Sequence, residues 1–288
     1  MKLAIVGSAG QVGQEFTKLL PAAQLIPLIR DRVDIADPHS VRRCFDELDF
    51  DVLINLAAFH DVNGCEDDGE KAFRVNALGA YYLAQAAARK NRKVVFFSSD
   101  YVFGLDAARK TPYVEHDAVG PLSIYGASKV AGEQLVRTAT ENHLIIRASS
   151  LFGAVTSKKG WTFPEMILKR AKAGETLRVV NDQYMSPTYT LDLVKTTVAL
   201  LEKNATGTAH CANGGGCTWH EFARTTLELA GVKHPIEPVS SDAFPAKAKR
   251  PMYSRLGSAR MASLGVQEMR PWQEATRAYL VEKGEMAK

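Results

Sequence analysis

Short apolar runs alternate with longer stretches of mixed character through the first half of the chain. Residues 3–6 (LAIV), 25–29 (LIPLI), 51–58 (DVLINLAA), 93–97 (KVVFF) and 144–147 (LIIR) are rich in aliphatic side chains, the pattern of strands covered on both faces. Pro27 lies inside the second run and argues against a central place for it, because proline cannot donate to a ladder. Between the runs, residues 14–20 extend a first helix that Pro21 ends. A second helix starts at Asp37-Pro38, where the aspartate can cap free amides and the proline sacrifices no internal bond, and runs to residue 48. A long helical pattern over 66–88 is expected to bend or break near Gly69 and Gly79. The alternation predicts an α/β fold: a Rossmann-like doubly wound parallel sheet with a smaller, interleaved α/β substrate-binding lobe.

The pattern changes after residue 149. A polar stretch at 156–160 leads to a helix over 161–173, a short strand at 177–180, a helix over 189–201 and a strand at 208–212. Thr218 and Glu221 have capping-box spacing at the start of another helix, and Pro271 opens a last one whose stripe of Trp272, Ala275 and Tyr279 reads as core. The expected division is 1–149 for the nucleotide-binding domain and 150–288 mainly for the substrate lobe, with 187–205 crossing back to the first domain.

Composition narrows the class. Of the 288 residues 46% are hydrophobic, enough for a sizeable core, and 36 Lys and Arg against 32 Asp and Glu leave a net charge of only +4. That small, dispersed excess suits neither nucleic acid nor a membrane surface as a partner. No leader-like basic and apolar segment opens the sequence, and Cys44, Cys65, Cys211 and Cys217 form no disulfide framework, so a reduced, cytoplasmic chain is expected. His210, Cys211, Cys217 and His220 lack the repeated chelating pairs of a zinc module, and no metal ligand is assigned.

Candidate chemistry begins at GSAGQVG, where Gly7, Gly10 and Gly13 follow the first strand with spacing GxxGxxG, one residue longer at its first gap than the dinucleotide fingerprint. Such a turn lets amides of the next helix, including those of Gln11 and Val12, meet a diphosphate, although a purely steric turn has the same glycines. Arg30 and Asp34 follow the second strand, near the adenosine ribose in such folds. Arginine tilts the choice toward NADPH, while Asp31 and Asp34 keep NADH open; an exposed charged turn is the alternative. Asn55, Ala57 and Ala58 end the third strand, where small side chains allow a cofactor close approach. Asn76 can order backbone nearby.

Ser99 and Asp100 end the fourth strand, and Tyr125 and Lys129 stand one helical turn apart in YGASK. A phenol with a reference pKa of about 10 is a poor acid or base alone. A lysine charge favours its phenolate, and a serine hydroxyl can hydrogen-bond the oxygen that gains a proton as hydride reaches carbon. Asn181, Asp182, Gln183 and Tyr184 precede MSPT and can position a hydroxyl-rich ligand or cap local elements. Lys247, Lys249, Arg250 and Arg255 make a basic patch suited to a diphosphate or to a solvated loop.

GSAGQVG, SSDYVFG, YGASK, NDQYMSPT and RPMYSRL together resemble the extended short-chain dehydrogenase/reductase superfamily, in its dTDP-4-dehydrorhamnose reductase branch, over essentially the whole chain. The resemblance implies a catalytic group of Ser99, Tyr125 and Lys129, with Ser99 replacing the threonine frequent in the branch. It implies a cofactor loop of Gly7, Gly10, Gln11, Val12 and Gly13, and NADPH or NADH as reductant. The implied reaction turns the C4 ketone of dTDP-4-dehydro-L-rhamnose into the alcohol, with Ser99, Asp100, Tyr125, Ser150, Asn181, Gln183 and Arg250 facing the dTDP-linked deoxy-ketosugar. Ser150 stands where these reductases often carry a tryptophan. Some relatives hold magnesium at subunit contacts, which allows a homodimer here, but the sequence has no evident local acidic cluster for the ion. A related sugar-nucleotide epimerase or dehydratase and a noncatalytic regulatory subunit are the other classes within the same resemblance.

Overall fold

The computed structural model describes residues 1–155 and 160–286, so all but the last residue of the polar stretch expected at 156–160 lies outside the described residues. The chain runs β1 (Leu3–Val6), α1 (Gln11–Leu19), β2 (Leu25–Leu28), α2 (Pro38–Asp46), β3 (Val52–Asn55), α3 (Val62–Asp67), α4 (Gly69–Phe73), a π-helical turn (Arg74–Leu78), α5 (Gly79–Arg89), β4 (Lys93–Ser99), α6 (Ile124–Ala139) and β5 (His143–Ala148). It continues through β6 (Leu151–Phe152), α7 (Phe163–Lys172), β7 (Leu177–Val180), β8 (Tyr184–Met185), β9 (Thr188–Tyr189), α8 (Thr190–Glu202), β10 (Gly207–His210), β11 (Cys217–Thr218), α9 (Trp219–Leu229), β12 (Ile236–Val239) and α10 (Trp272–Lys283).

Six parallel strands form the main sheet in the order β10-β5-β4-β3-β1-β2. The chain steps outward from β1 to β2 and then returns to the other side of β1 with β3. The crevice where strand order reverses therefore opens at the carboxyl ends of β1 and β3. Pro27 is accommodated because β2 is an edge strand. Alternation along β1 divides the core. Leu3 and Ile5 join Phe16 of α1 and Leu193 of α8 on one face, while Ala4 and Val6 join Val41 of α2 and Leu83 of α5 on the other.

The long helix expected over 66–88 is three pieces with a π turn between the last two, and Gly69 and Gly79 open the second and third. A Cβ on Gly79 would collide with Ile35, so a glycine there lets α5 approach the loop between β2 and α2. The Asp37 carboxylate accepts the His39 amide at the start of α2, and Thr218 and Glu221 close their capping box. Residues 190–202 pack on the α1 face, and residues 207–210, further along the chain, supply the sixth strand. A separate core of Phe152, Ile167, Tyr189, Phe222, Trp272 and Tyr279 holds the lobe built by α7, α9 and α10. Among the described residues no helix is long and apolar enough to cross a membrane.

Candidate active site

The glycine turn lies in the crevice between β1 and β3. Gly7 adopts φ +83°, donates to the Leu28 carbonyl at 2.9 Å, and leaves no room for a Cβ against the Ala57 amide. A Cβ on Gly13 would strike the Ser8 backbone. Gly10 is the N-cap of α1 and offers no side-chain acceptor, and the first turn carries no acid. The leading amides of α1 are therefore left for an anion. The buried Gln11 Nε2 also has no partner among the described residues. Open amides at a strand-to-helix turn fit the diphosphate of a dinucleotide, which Gly7, Gly10, Gln11, Val12 and Gly13 would hold.

Around this cradle, Asn55 is buried and its Oδ1 accepts the Ala57 amide at 3.1 Å, while Ala57 and Ala58 are half-buried. Arg30 is exposed beyond β2. Asp34 Oδ1 accepts the Ala36 amide at 3.0 Å, so one of its oxygens is spent on its own turn.

The register brings Ser99 at the end of β4 beside Ala148 at the end of β5. Ser123 caps α6 through the Gly126 amide, and that helix carries Tyr125 and Lys129 over the sheet. The Tyr125 side chain lies beside Ser99, and its ring meets Tyr101 edge-on at 5.9 Å. Burial pushes the Tyr125 phenol up; the Ser99 contact pulls it down, and the nearby Asp100 charge adds to the rise. Lys129 is 1% exposed, donates from Nζ to the Phe97 carbonyl at 2.6 Å, and sits 4.1 Å from the Phe96 ring centroid. Burial pushes its ammonium down to about 7, against the opposing pull of Glu133 one turn on. An amine so poised gains most from a phenolate beside it, because the ion pair offsets the cost of burying its charge.

Asp100 is 2% exposed, and its carboxylate accepts three hydroxyls: Ser99 at 3.0 Å, Ser149 at 2.8 Å and Ser254 at 2.7 Å. Ser150 adopts φ +44°, and its carbonyl takes the Thr188 amide at 3.1 Å where β6 and β9 begin. Arg250 is exposed, with its charge acting on Tyr101. Gln183 is buried. Asn181 is exposed and accepts the Thr218 hydroxyl at 2.9 Å. The structure thus joins Ser99 and Asp100 by a hydrogen bond and brings Tyr125 beside them, with Lys129 one turn on, whereas the described contacts of Asn181 stay inside the lobe.

Two supports brace this group; the sequence suggested the ordering role of Asn76 but not its partners, and gave no sign of the second. Asn76, in the π turn, accepts the Phe59 amide at 2.8 Å, donates to the Phe59 carbonyl at 3.0 Å, and donates to Ser128 Oγ at 3.0 Å. Ser128 in turn donates to the Tyr125 carbonyl at 2.7 Å. One buried amide therefore fastens the loop after β3 to the helix bearing Tyr125 and Lys129. Glu133 receives a two-pronged bond from Arg147, at 2.8 and 2.7 Å. Burial alone would raise its carboxyl, but Arg147 together with Ser98 and Arg137 outweighs burial and holds it below the usual range. His210 is part of this buried group, 3.3 Å from Arg147 through Nε2, rather than of a metal cluster. Among the described residues no group of three or more His, Cys, Asp or Glu side chains is placed to hold a metal ion.

Comparison with known proteins places this geometry in a family. The family model described as RmlD substrate binding domain matches residues 1–284. The spore coat polysaccharide biosynthesis protein SpsK of Bacillus subtilis is 38% identical over 284 residues, covering 98% of each chain. The crystal structure of a dTDP-4-dehydrorhamnose reductase from Clostridium acetobutylicum superposes with a TM-score of 0.93 at 33% identity, covering 99% of this chain and 100% of that one. The Bacillus anthracis dTDP-4-dehydrorhamnose reductase, solved in complex with NADP, gives 0.92 at 33% identity, covering 98% and 100%. With its glycine cradle and its Ser99, Tyr125 and Lys129 at one sheet edge, the chain belongs to the dTDP-4-dehydrorhamnose reductase family and is an oxidoreductase of the dTDP-sugar reductase type.

Proposed function

We propose that this protein reduces the C4 ketone of dTDP-4-dehydro-L-rhamnose to the alcohol of dTDP-L-rhamnose. The observation that carries the reading is the meeting of Ser99 and Tyr125 at the carboxyl edge of the sheet, with buried Lys129 one helical turn on and the open amides of α1 at the same edge. The bound reduced nicotinamide supplies hydride to the carbonyl carbon. Tyr125 gives its phenolic proton to the carbonyl oxygen, Lys129 stabilises the phenolate left behind, and a proton from solvent restores the phenol. Ketone, hydride and proton together make the alcohol, so no further reactant is needed. NADPH is the favoured reductant, because Arg30 follows β2 where a ribose phosphate would lie and because the Bacillus anthracis relative was solved with NADP.

The lobe side of the site is assigned to the dTDP-linked sugar, with Gln183, Ser150 and Arg250 as contacts and Arg250 toward the diphosphate. A second reading, reduction of a different dTDP-4-ketosugar, draws on Ser150, a small residue in a left-handed conformation at the entrance to the lobe. The test incubates purified protein with a panel of dTDP-4-ketosugars and each reduced nicotinamide, following cofactor oxidation and the configuration of the product at C4. Efficient turnover of the rhamnose precursor with one equivalent of cofactor oxidised is the expected result. Turnover of another panel member alone would keep the reductase chemistry and reject the sugar. An epimerised or dehydrated product without net cofactor oxidation would reject both.

A further inference from the structure

The leading amides of α6 have no partners within the helix and must find them elsewhere. Ser123 Oγ takes that of Gly126 at 3.2 Å. The amide of Ile124, the residue immediately before Tyr125, instead leaves the helix and donates to Glu66 Oε1 of α3 at 2.8 Å. A carboxylate at this place also faces the positive end of the α6 dipole. The same turn is pressed against the chain on its other side, because a Cβ on Gly126 would lie 2.2 Å from the Tyr101 carbonyl. Tyr125 therefore starts from a helix end whose place depends on Glu66.

The short helix that carries Glu66 is itself held from two directions. Cys65 Sγ donates to the Phe59 carbonyl at 3.4 Å, and Phe59 is the residue whose backbone Asn76 grips. Asn63 Oδ1 accepts the Ala248 amide at 3.2 Å, and Lys247 bonds to Asp67. Ala248 is buried although residues 242–247 and 249–250 around it are exposed. The loop that leads to Arg250 is thus pinned to α3, and α3 is pinned to the first turn of α6. We propose that Glu66 is a positioning residue that acts through the Ile124 amide: from α3 it fixes the first turn of α6, and with it the Tyr125 phenol, relative to the ketone. What this task demands of Glu66 is an acceptor at the right reach; a negative charge alone does not perform it. The kinetic consequence rests on the reductase reading, whereas the bond itself can be followed without substrate.

The experiment compares the full-length wild type with Glu66→Gln, Glu66→Asp and Glu66→Ala. Gln keeps an acceptor at the same reach without the charge, Asp keeps the charge on a shorter side chain, and Ala keeps neither. Amide hydrogen exchange at Ile124, read by NMR on ligand-free protein, should stay near the wild-type rate in Glu66→Gln and quicken by roughly tenfold or more in Glu66→Asp and Glu66→Ala. Equal exchange at Ile124 in all the proteins would overturn the proposal, whatever the enzyme turns over. With the dTDP-ketosugar that the wild type reduces, kcat should fall roughly tenfold or more in Glu66→Asp and Glu66→Ala, while KM for the sugar and nicotinamide affinity stay near their wild-type values. Glu66→Gln should restore kcat to within about threefold of the wild type. If Glu66→Ala does not fold, Glu66→Asp carries both measurements. Quickened exchange with wild-type kcat in Glu66→Asp would make the bond merely structural and overturn the positioning role. A kcat as low in Glu66→Gln as in Glu66→Asp would overturn it too, by showing that an acceptor at this reach is not sufficient. Absence of turnover by the wild type would instead count against the reductase reading, and the exchange comparison would still decide the bond.

Discussion

Removing the Asn76 amide should disturb catalysis from inside the fold. Asn76→Ala deletes three hydrogen bonds, two to the Phe59 backbone and one to Ser128. At about 1 kcal/mol each the loss is about 3 kcal/mol. For a chain of this size that corresponds to a fall in Tm of roughly 6 to 12 °C. Ser128→Ala removes the Asn76 bond and the bond to the Tyr125 carbonyl, and is expected to cost about 1 to 2 kcal/mol. Because the Asn76–Ser128 bond is lost in both single variants, the double variant should fall short of their sum by about 1 kcal/mol. The kinetic effect should be larger than the thermal one suggests. The clamp sets the loop beside the glycine turn against the helix of Tyr125 and Lys129, and a misplacement of about 1 Å at a reacting centre costs on the order of 100-fold. Thermal melts of the four proteins give the cycle, and single-turnover reduction with cofactor bound gives the chemical step. Additive melts with unchanged single-turnover rates would refute the clamp.

Arg30→Ala should weaken NADPH more than NADH if Arg30 reads a ribose phosphate, and equal changes in the two dissociation constants would reject that role. His210 carries a pH prediction. Burial, reinforced by the Arg147 charge and opposed by Glu115, pushes its imidazole down to about 4. The unfolded chain then binds this proton first, so stability is full above the ordinary histidine value of about 6.5 and is lost as pH falls from there toward 4, by at most about 3 kcal/mol. Tm followed over that window should fall less steeply in His210→Gln than in the wild type, and parallel curves would show that His210 does not carry the effect.

The sheet was legible because LAIV, VLI and VVFF are unbroken apolar runs, and Pro27 even marked the edge strand. The break-up of 66–88 at Gly69 and Gly79 was legible from those glycines, but the π turn between the last two pieces was not, because it has no local sequence signal. The meeting of Ser99 with Tyr125 was readable from the motifs. The Asp100 hub was not. Ser149 and Ser254 are far apart in sequence, and small hydroxyl residues carry no periodic or motif signal until the fold closes them on one carboxylate. The same holds for Arg147 and Glu133, whose pairing follows only once β5 and α6 bury them face to face.

The central claim, that Tyr125 is the acid of a ketone reduction, is tested most directly by single-turnover reduction of dTDP-4-dehydro-L-rhamnose on protein loaded with NADPH, comparing the wild type with Tyr125→Phe. The variant keeps the ring that packs on Tyr101 and loses only the hydroxyl, so folding and cofactor binding should persist. The account predicts a rate roughly 100-fold lower or more, with the residual product of the same C4 configuration. A near-normal rate in the variant would contradict it.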